Sequence, residues 1–181
     1  MTHLQLESQR LILRPIEDAD AQALYPLIND PDVALNTLSI PHPYPEDAYV
    51  PWIRQARESL LSGLSYQMAI ILKETGQPIG GAGISDVCLA HGRAEMGCWL
   101  GKPHWGRGYA TEAARLMVRF GFEELSLERM HAYCLERNKA SVRVLEKVGL
   151  SLEGRIRHGV RKGGEYHDVL LFAVIRGDLD P

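Results

Sequence analysis

Cysteine is scarce in this 181-residue sequence, and long apolar runs are missing from it. Runs such as that from Met68 to Leu72 fall far short of the roughly 20 apolar residues that a transmembrane helix needs. The first ten residues contain neither the apolar core nor the small-residue cleavage site of a secretory signal. These absences exclude a helical membrane protein and predict a protein that is not exported.

The few cysteines form no recognisable pattern. Cys88, Cys98 and Cys134 are odd in number, lack CxxC spacing and stand among apolar residues. We therefore expect reduced, buried thiols in a cytoplasmic protein. The histidines show neither an HExxH motif nor a Cys/His pair at zinc-ligand spacing, so we expect no metal site.

Neither sign of charge dominates. The 20 Lys and Arg residues face 23 Asp and Glu residues, which leaves a formal net charge of −3. Such a balance does not create the broad positive field that nucleic-acid backbones need, so nucleic acid is not an expected partner. A chain of this length without repeats or linkers predicts one domain over residues 1–181.

The spacing of apolar residues predicts a mixed sheet with helices on both faces. We expect helices after the acidic residues 17–20, from 46 to 61, from 111 to 124 and from 141 to 148, the last ended by Gly149. The proline-rich segment 29–45 between the first two helices predicts an irregular lid. We expect strands over residues 4–15, 66–72, 79–84, 94–100, 129–135, 153–160 and 165–175.

The most informative segment, residues 100–113, joins a strand to the N-terminus of a helix. Its small residues Gly106, Gly108 and Ala110 let backbone N–H groups approach a ligand closely, and a helix N-terminus favours phosphate. Arg107 and Lys102 add positive charge suited to a polyanionic ligand. The alternative is a glycine-rich connection that only packs the helix on the sheet.

Other phosphate-binding loops are missing from the sequence. There is no GxxxxGK[ST] motif and no dinucleotide fingerprint, which disfavours an ATPase or a dehydrogenase.

Residues 105–113 resemble the acetyl-CoA pyrophosphate loop of the GCN5-related N-acetyltransferases (GNAT), in the form found in the RimJ/RimL-type ribosomal-protein N-terminal acetyltransferases. Further segments resemble this subgroup and occur in the same order along the chain. They are residues 10–15, residues 138–150, and residues 153–155 together with 166–168. The resemblance covers nearly the whole chain. It implies an α+β GNAT fold with a mostly antiparallel central sheet, helices on both faces and splayed central strands.

The resemblance also implies acetyl-CoA as cosubstrate, with the pantetheine along a splayed strand, the thioester near Cys98 and Trp99, and the pyrophosphate on the amides of residues 106–111. Asn138 and Ser141 would face the pantetheine end and the sulfur. The implied cofactor-binding residues are Cys98, Trp99, Leu100, Trp105, Gly106, Arg107, Gly108, Tyr109, Ala110, Thr111, Asn138 and Ser141.

Two residues are candidates for catalysis. Acetyl transfer needs a neutral amine and a proton for the departing thiolate, and an α-amine with a pKa of about 8 needs less help than a lysine at about 10.4. Glu95, on the strand expected to meet the thioester, is the candidate base, and its alternative role is a structural ion pair with an arginine. Ser141 is the candidate donor to the thiolate, and its alternative role is a helix N-cap.

Residues for the acceptor are less clearly marked. His131 and Tyr133 are two residues apart on one predicted strand and therefore share a face. We expect them either to line an acceptor pocket or to belong to the core. The aromatic residues Tyr44, Tyr49 and Trp52 shape a substrate mouth or the core of the lid. Four basic residues lie near the last predicted hairpin, where we expect them either to contact an acidic acceptor or to form a solvated face. They are Arg155, Arg157, Arg161 and Lys162.

Together these observations predict an N-acetyltransferase that transfers an acetyl group directly to an amine in a ternary complex. The subgroup favours a protein or peptide N-terminal α-amine as acceptor. The alternatives are a small amine, namely a polyamine, an antibiotic or an amino acid derivative, and a non-catalytic acyl-CoA-binding module. A homodimer is a further partner that the resemblance leaves open.

Overall fold

The computed structural model describes residues 4–178, and their strands form one eight-stranded sheet. The strands are β1 (Leu6–Glu7), β2 (Leu11–Pro15), β3 (Tyr66–Leu72), β4 (Gln77–Cys88), β5 (Arg93–Leu100), β6 (Arg129–Leu135), β7 (Ser151–Lys162) and β8 (Glu165–Ile175). The α-helices of these residues are α1 (Ala21–Ile28), α2 (Pro31–Leu35), α3 (Tyr49–Leu61), α4 (Tyr109–Glu123) and α5 (Lys139–Lys147).

The sheet is antiparallel except at one pair. Its order is β1-β2-β3-β4-β5-β6-β8-β7, and only β5 and β6 run parallel among the described strands. Alternation along β3 sends Met68 and Ile70 to one face and Ala69 and Ile71 to the other. The predicted mixed, mostly antiparallel sheet is confirmed.

Each face of the sheet carries its own apolar core. On one face α4 buries residues at helical spacing, including Ala113, Met117 and Phe120, while Arg119 remains exposed. On the other face α1 and α3 bury residues such as Leu24 and Ile53 against β3. The predicted helices on both faces are confirmed.

Several element boundaries differ from the prediction. The strand expected over residues 4–15 is divided into β1 and β2, because the Ser8 N–H turns back to the Leu11 carbonyl. The helix expected from residue 46 begins only at Tyr49. The segment 29–45 is not wholly irregular: it contains α2, which Pro31 opens and Asp30 caps by accepting a 2.7 Å hydrogen bond from the Asp32 N–H.

Strands β5 and β6 separate halfway along their length. Their parallel ladder joins only three residue pairs, of which the last is Glu95 with His131. Beyond that pair, β5 stays paired with β4 up to Leu100, and β6 stays paired with β8 up to Leu135. The expected splay of the central strands is confirmed, and it opens a gap in the sheet that leaves one backbone edge of β5 free.

Candidate active site

Two cavities meet at the gap between β5 and β6. The first, the α4 cavity, has a volume of about 470 Å³ and lies between the end of β5, the start of α4 and α5. The second, the central cavity, has a volume of about 530 Å³ and is bounded by β4, β5, β6 and the segment 36–41. The cavities share a wall formed by Asn36, Thr37, Cys98, Trp99, Ser141 and Val144.

The start of α4 is built to accept an anion. Gly108 is the N-cap residue with a φ of 81°, and Gly106 has a φ of 73°, which a residue with a side chain rarely adopts. No side chain caps this helix, so the N–H groups of its first turn have no partner within the helix. A pyrophosphate in the α4 cavity fits these donors and the positive end of the helix dipole.

A cluster of contacts fixes this loop to the start of β2. Arg10 donates from Nε to Glu112 Oε2 at 2.7 Å and from Nη1 to the Arg107 carbonyl at 2.9 Å, and its guanidinium lies 4.6 Å from the ring centre of Tyr109. The Ser8 hydroxyl donates to Glu112 at 2.7 Å. Burial alone raises the pKa of Glu112, but the hydrogen bonds from Ser8 and Arg10 outweigh it, so the pKa is lowered.

Sequence reasoning missed this use of Glu112 and Arg10 because the two residues are 102 positions apart. The only local signal is an acidic residue in the first turn of α4, where the helix dipole favours it.

Nearly all the predicted cofactor-binding residues line the α4 cavity. The exception is Arg107, whose exposed side chain is not among the lining residues and whose carbonyl binds Arg10. Trp105 is held across the end of β5 by a 2.8 Å hydrogen bond from its Nε1 to the Leu100 carbonyl. The residues that do line it are Cys98, Trp99, Leu100, Trp105, Gly106, Gly108, Tyr109, Ala110, Thr111, Asn138 and Ser141.

The positive charge of this cavity comes from another element than expected. Arg143 and Lys147, four residues apart on α5, line the α4 cavity, and sequence reasoning did not select them. Their i, i+4 spacing on an amphipathic helix is the signal that could have found them. Lys102, near the glycine-rich loop, instead forms an ion pair with Asp32 at 2.5 Å.

Asn138, rather than Ser141, caps α5. The helix begins at Lys139, two residues before the predicted start, and Asn138 Oδ1 accepts a 3.0 Å hydrogen bond from the Ser141 N–H. The alternative role of Ser141 as the N-cap is therefore wrong, because the side chain of Asn138 already occupies that position. The Ser141 side chain is left beside the Cys134 thiol at the wall shared by both cavities.

The two cysteines that line the central cavity, Cys98 and Cys134, are poor nucleophiles. Burial raises the pKa of the Cys98 thiol to about 11. Burial also raises the pKa of Cys134, and the hydrogen bond with Ser141 opposes this only in part. Thiols with raised pKa values stay protonated at neutral pH, so the geometry offers no activated cysteine to carry an acyl group. Cys88, Cys98 and Cys134 are all unpaired, as expected. Cys134 is buried, whereas Cys88 and Cys98 are only half-buried.

Glu95 faces the central cavity where β5 and β6 part. Burial raises its pKa, and the negative charge of Asp86 raises it further. Within residues 4–178 it forms no ion pair, so the alternative of a structural pair with an arginine is not observed. A half-buried carboxylate with a raised pKa is suited to accept a proton near neutral pH.

The structure separates the residues predicted for the acceptor. Tyr133 lines the central cavity, whereas His131 is buried outside it and packs edge-to-face on Tyr133 with 5.6 Å between ring centres. Burial lowers the pKa of His131, and the charges of nearby arginines lower it further. Tyr44 and Trp52 line the cavity, whereas Tyr49 lies in the core beneath them, stacked on Trp52 at 5.7 Å.

None of the four basic residues of the last hairpin lines either cavity. Arg155 forms ion pairs with Glu136 and Asp168. Arg157 and Arg161 are exposed, and Arg161 lies over the ring of Tyr166. Lys162 turns inward to the segment 34–40, where it donates to three backbone carbonyls, those of Ala34, Thr37 and Ile40.

Over the described range, no helix is long and apolar enough to cross a membrane. The same residues contain no group of three or more His, Cys, Asp or Glu side chains arranged to hold a metal ion.

Comparison with known proteins agrees with this geometry. The profile of the acetyltransferase (GNAT) domain matches residues 10–151. The chain belongs to the GNAT acetyltransferase family. It is 32% identical over 171 residues to the uncharacterized N-acetyltransferase p20 of Bacillus licheniformis, a match that covers 94% of this chain and 96% of that protein. As a GNAT acetyltransferase it uses acetyl-CoA.

Other relatives differ in their acceptors. The spermidine N(1)-acetyltransferase of Escherichia coli is 23% identical, with 91% of this chain and 85% of that protein covered. RimL, a ribosomal-protein α-N-acetyltransferase solved with coenzyme A, superposes with a TM-score of 0.86 at 19% identity, covering 94% of this chain and 97% of RimL. The chain is also 27% identical over 178 residues to the putative ribosomal N-acetyltransferase YdaF of Bacillus subtilis, with 93% of each chain covered, which is consistent with the RimJ/RimL-type subgroup.

Proposed function

We propose that this GNAT protein transfers the acetyl group of acetyl-CoA directly to the α-amine at the N-terminus of a protein or peptide. The observation that carries the proposal is the junction of the two cavities at the gap between β5 and β6. A donor in the α4 cavity and an amine in the central cavity meet at one wall. Direct transfer in a ternary complex is supported by the raised pKa of Cys98, the thiol that lies on that wall.

The donor site is divided between backbone and side chains. Backbone N–H groups at residues 106–111 bind the pyrophosphate, and Arg143 and Lys147 neutralise phosphate charge. The free edge of β5 beyond Glu95 pairs with the pantetheine amides in the way that an added strand would. Asn138 completes the wall toward the sulfur.

Acetyl-CoA supplies an acyl group that is activated as a thioester. Glu95 accepts the proton of the attacking ammonium, directly or through a water molecule, so that a neutral amine forms the new N–C bond. As the C–S bond breaks, the Ser141 hydroxyl donates its proton to the departing sulfur and takes up the remaining extra proton of the attacking nitrogen, so that CoA leaves as the thiol and a neutral amide forms. Glu95 and Ser141 line the central cavity, and Ser141 also lines the α4 cavity.

The subgroup supports a peptide α-amine as acceptor, because RimL acts on a ribosomal protein. The spermidine N(1)-acetyltransferase relative supports the alternative of a small amine.

Two further parts of the proposal concern the whole chain. The first is a single acetyltransferase domain over residues 1–181, supported by one sheet from β1 to β8. The second is a cytoplasmic location, supported by three unpaired cysteines. A homodimer stays a prediction that light scattering would check.

The proposal is tested by thiol release from acetyl-CoA with a panel of amines, and by mass spectrometry of the products. We expect turnover with peptides that have a free N-terminus and none with the same peptides blocked at the N-terminus. Acetylation of spermidine alone would favour the small-amine alternative. Binding of CoA without thiol release for any amine would indicate a non-catalytic acyl-CoA-binding module.

A further inference from the structure

We propose that the acceptor amine belongs to an N-terminal residue with an apolar, preferably aromatic, side chain and with neither a free carboxylate nor a second cation beside the amine. This inference rests on the proposed function and deepens it, since it names the class of N-terminus. The observation that carries it is the composition of the central cavity wall.

The central cavity has almost no charge of its own. Among the described residues that line it, Glu95 alone has a carboxylate, and no Lys, Arg or His side chain takes part; Asp86, whose charge acts on Glu95, is exposed and does not line the cavity. One ammonium group therefore has one anionic partner. A second cation, as in a polyamine, loses its hydration in this cavity without a carboxylate to replace the water. A free α-carboxylate or an acidic side chain has no cation to pair with.

The rest of the wall combines uncharged polar side chains, such as Ser39, Gln67 and Ser85, with a group of apolar and aromatic ones. The side of the cavity away from the donor is formed by Ile28, Leu38, Ile40, Tyr44 and Trp52. Tyr44 and Trp52 are held in place by Tyr49, which packs edge-to-face on the first at 5.5 Å and stacks on the second at 5.7 Å. Fixed aromatic walls recognise apolar and aromatic groups, because burial of apolar surface and ring contacts both contribute.

The size of the cavity agrees with a terminal residue. A volume of about 530 Å³ lies in the range of roughly 300–1,000 Å³ that is usual for small-ligand sites. Such a cavity accommodates one terminal residue and the start of the next. The ammonium at Glu95 lies toward the donor, and the side chain extends to Tyr44 and Trp52. An amide after the first residue is neutral and needs only hydrogen bonds, which Asn36 and Thr37 offer at the shared wall.

The test uses peptides that differ only in the first residue, Phe, Glu or Lys, together with phenylalaninamide, free phenylalanine and spermidine. We expect kcat/KM for the Phe peptide to exceed those for the Glu and Lys peptides by about tenfold or more, about 1.4 kcal/mol at least. Phenylalaninamide should exceed free phenylalanine by a similar factor. Equal rates for all peptides, or a preference for a charged one, would overturn this inference and leave the proposed function intact.

A charge introduced into the wall makes the test sharper. Ser39 is exposed and lines the central cavity, so Ser39→Lys should fold and should raise the ratio of kcat/KM for the Glu peptide to that for the Phe peptide at least threefold. Ser151→Lys, at an exposed serine outside both cavities, is the matched control and should leave the ratio unchanged. An unchanged ratio in a folded Ser39→Lys protein contradicts the proposal. Failure of every amine, spermidine included, would overturn the proposed function as well.

Discussion

At the scale of single residues, the carboxylate of Glu95 lies in a position that favours chemistry over stability. Burial raises its pKa above the ordinary value of 4.5, and Asp86 adds to the effect. The charged form is therefore less favourable in the folded protein than in the unfolded chain. That cost is fully present above the folded pKa and disappears below the unfolded pKa.

Glu95→Gln should separate these two effects. We expect kcat for a peptide substrate to fall about a hundredfold at neutral pH, and the acid limb of the pH profile, which lies above the ordinary range of a glutamate, to disappear. The variant should melt at a higher temperature than the parent at pH 7, with the difference vanishing as the pH falls through the raised pKa. Glu146→Gln, at an exposed glutamate of α5, should change neither property. A normal kcat would remove Glu95 from the mechanism.

Ser141 and Asn138 should give opposite results although they are three residues apart. Ser141→Ala should lower kcat on the order of a hundredfold with little change in melting temperature, since the cap belongs to Asn138. Asn138→Ala should lower the free energy of unfolding by about 1 kcal/mol, because α5 loses its N-cap. Turnover and thermal unfolding of both variants check this. A Ser141→Ala protein with near-normal turnover would contradict the assigned role.

At the scale of elements, the segment 34–40 depends on side chains from distant parts of the chain. Its carbonyls accept hydrogen bonds from Lys162 at Ala34, Thr37 and Ile40, from Arg137 at Leu35 and from Asn138 at Asn36. The first of these carbonyls belong to the C-terminal end of α2, where the helix dipole favours cations. Residues of the same segment line the central cavity, so Lys162 acts as a positioning residue for the acceptor wall.

Lys162→Met keeps the aliphatic stem and removes the donor. We expect KM for the acceptor to rise about tenfold, KM for acetyl-CoA to change much less, and the free energy of unfolding to fall by about 1–3 kcal/mol, because three carbonyls lose their partner. Lys73→Met, which breaks an ion pair with Glu7 far from both cavities, is the matched control. Equal changes in the two KM values would show that Lys162 only supports the fold.

At the scale of the whole molecule, acetyl-CoA should contact several separate elements at once and thereby stabilise the fold. Its site brings together α4, α5, the end of β5 and the segment 36–41. A ligand at a hundredfold its Kd stabilises the native state by about 2.7 kcal/mol, which corresponds to a rise in melting temperature of roughly 5–10 °C for a domain of this size.

Thermal unfolding with saturating acetyl-CoA, ATP or NADH tests this expectation. Gly108→Val should reduce the rise with acetyl-CoA, because Gly108 has a φ of 81° at the start of α4 and a Cβ there would lie 3.4 Å from Arg10 Nη2. The protein should still fold, since Gly108 is exposed and belongs to neither core. A rise with ATP or NADH and none with acetyl-CoA would contradict the assignment of the α4 cavity.

Local patterns in the sequence were enough to predict the succession of strands and longer helices along the chain, the glycine-rich start of α4 and part of the lining of the α4 cavity, but not Arg143 and Lys147. These features depend on side-chain alternation, helical spacing and glycine, which act within a few residues of one another. Boundaries were less well predicted. The start of α5 was placed two residues late because Asn138 and Ser141 are both good capping residues, and only the backbone path shows that Asn138 is the one that caps.

Only the tertiary structure decided how those elements build a site. The Arg10–Glu112 contact joins residues 102 positions apart, and the bond from Lys162 to the Ala34 carbonyl spans 128 positions. The gap between β5 and β6 likewise depends on which strands pair beyond Glu95 and His131. Such contacts are selected by the packing of two layers on one sheet, and no local pattern encodes them. The sequence by itself therefore determined the family and the donor, whereas the shape and charge of the acceptor cavity follow only from the folded chain.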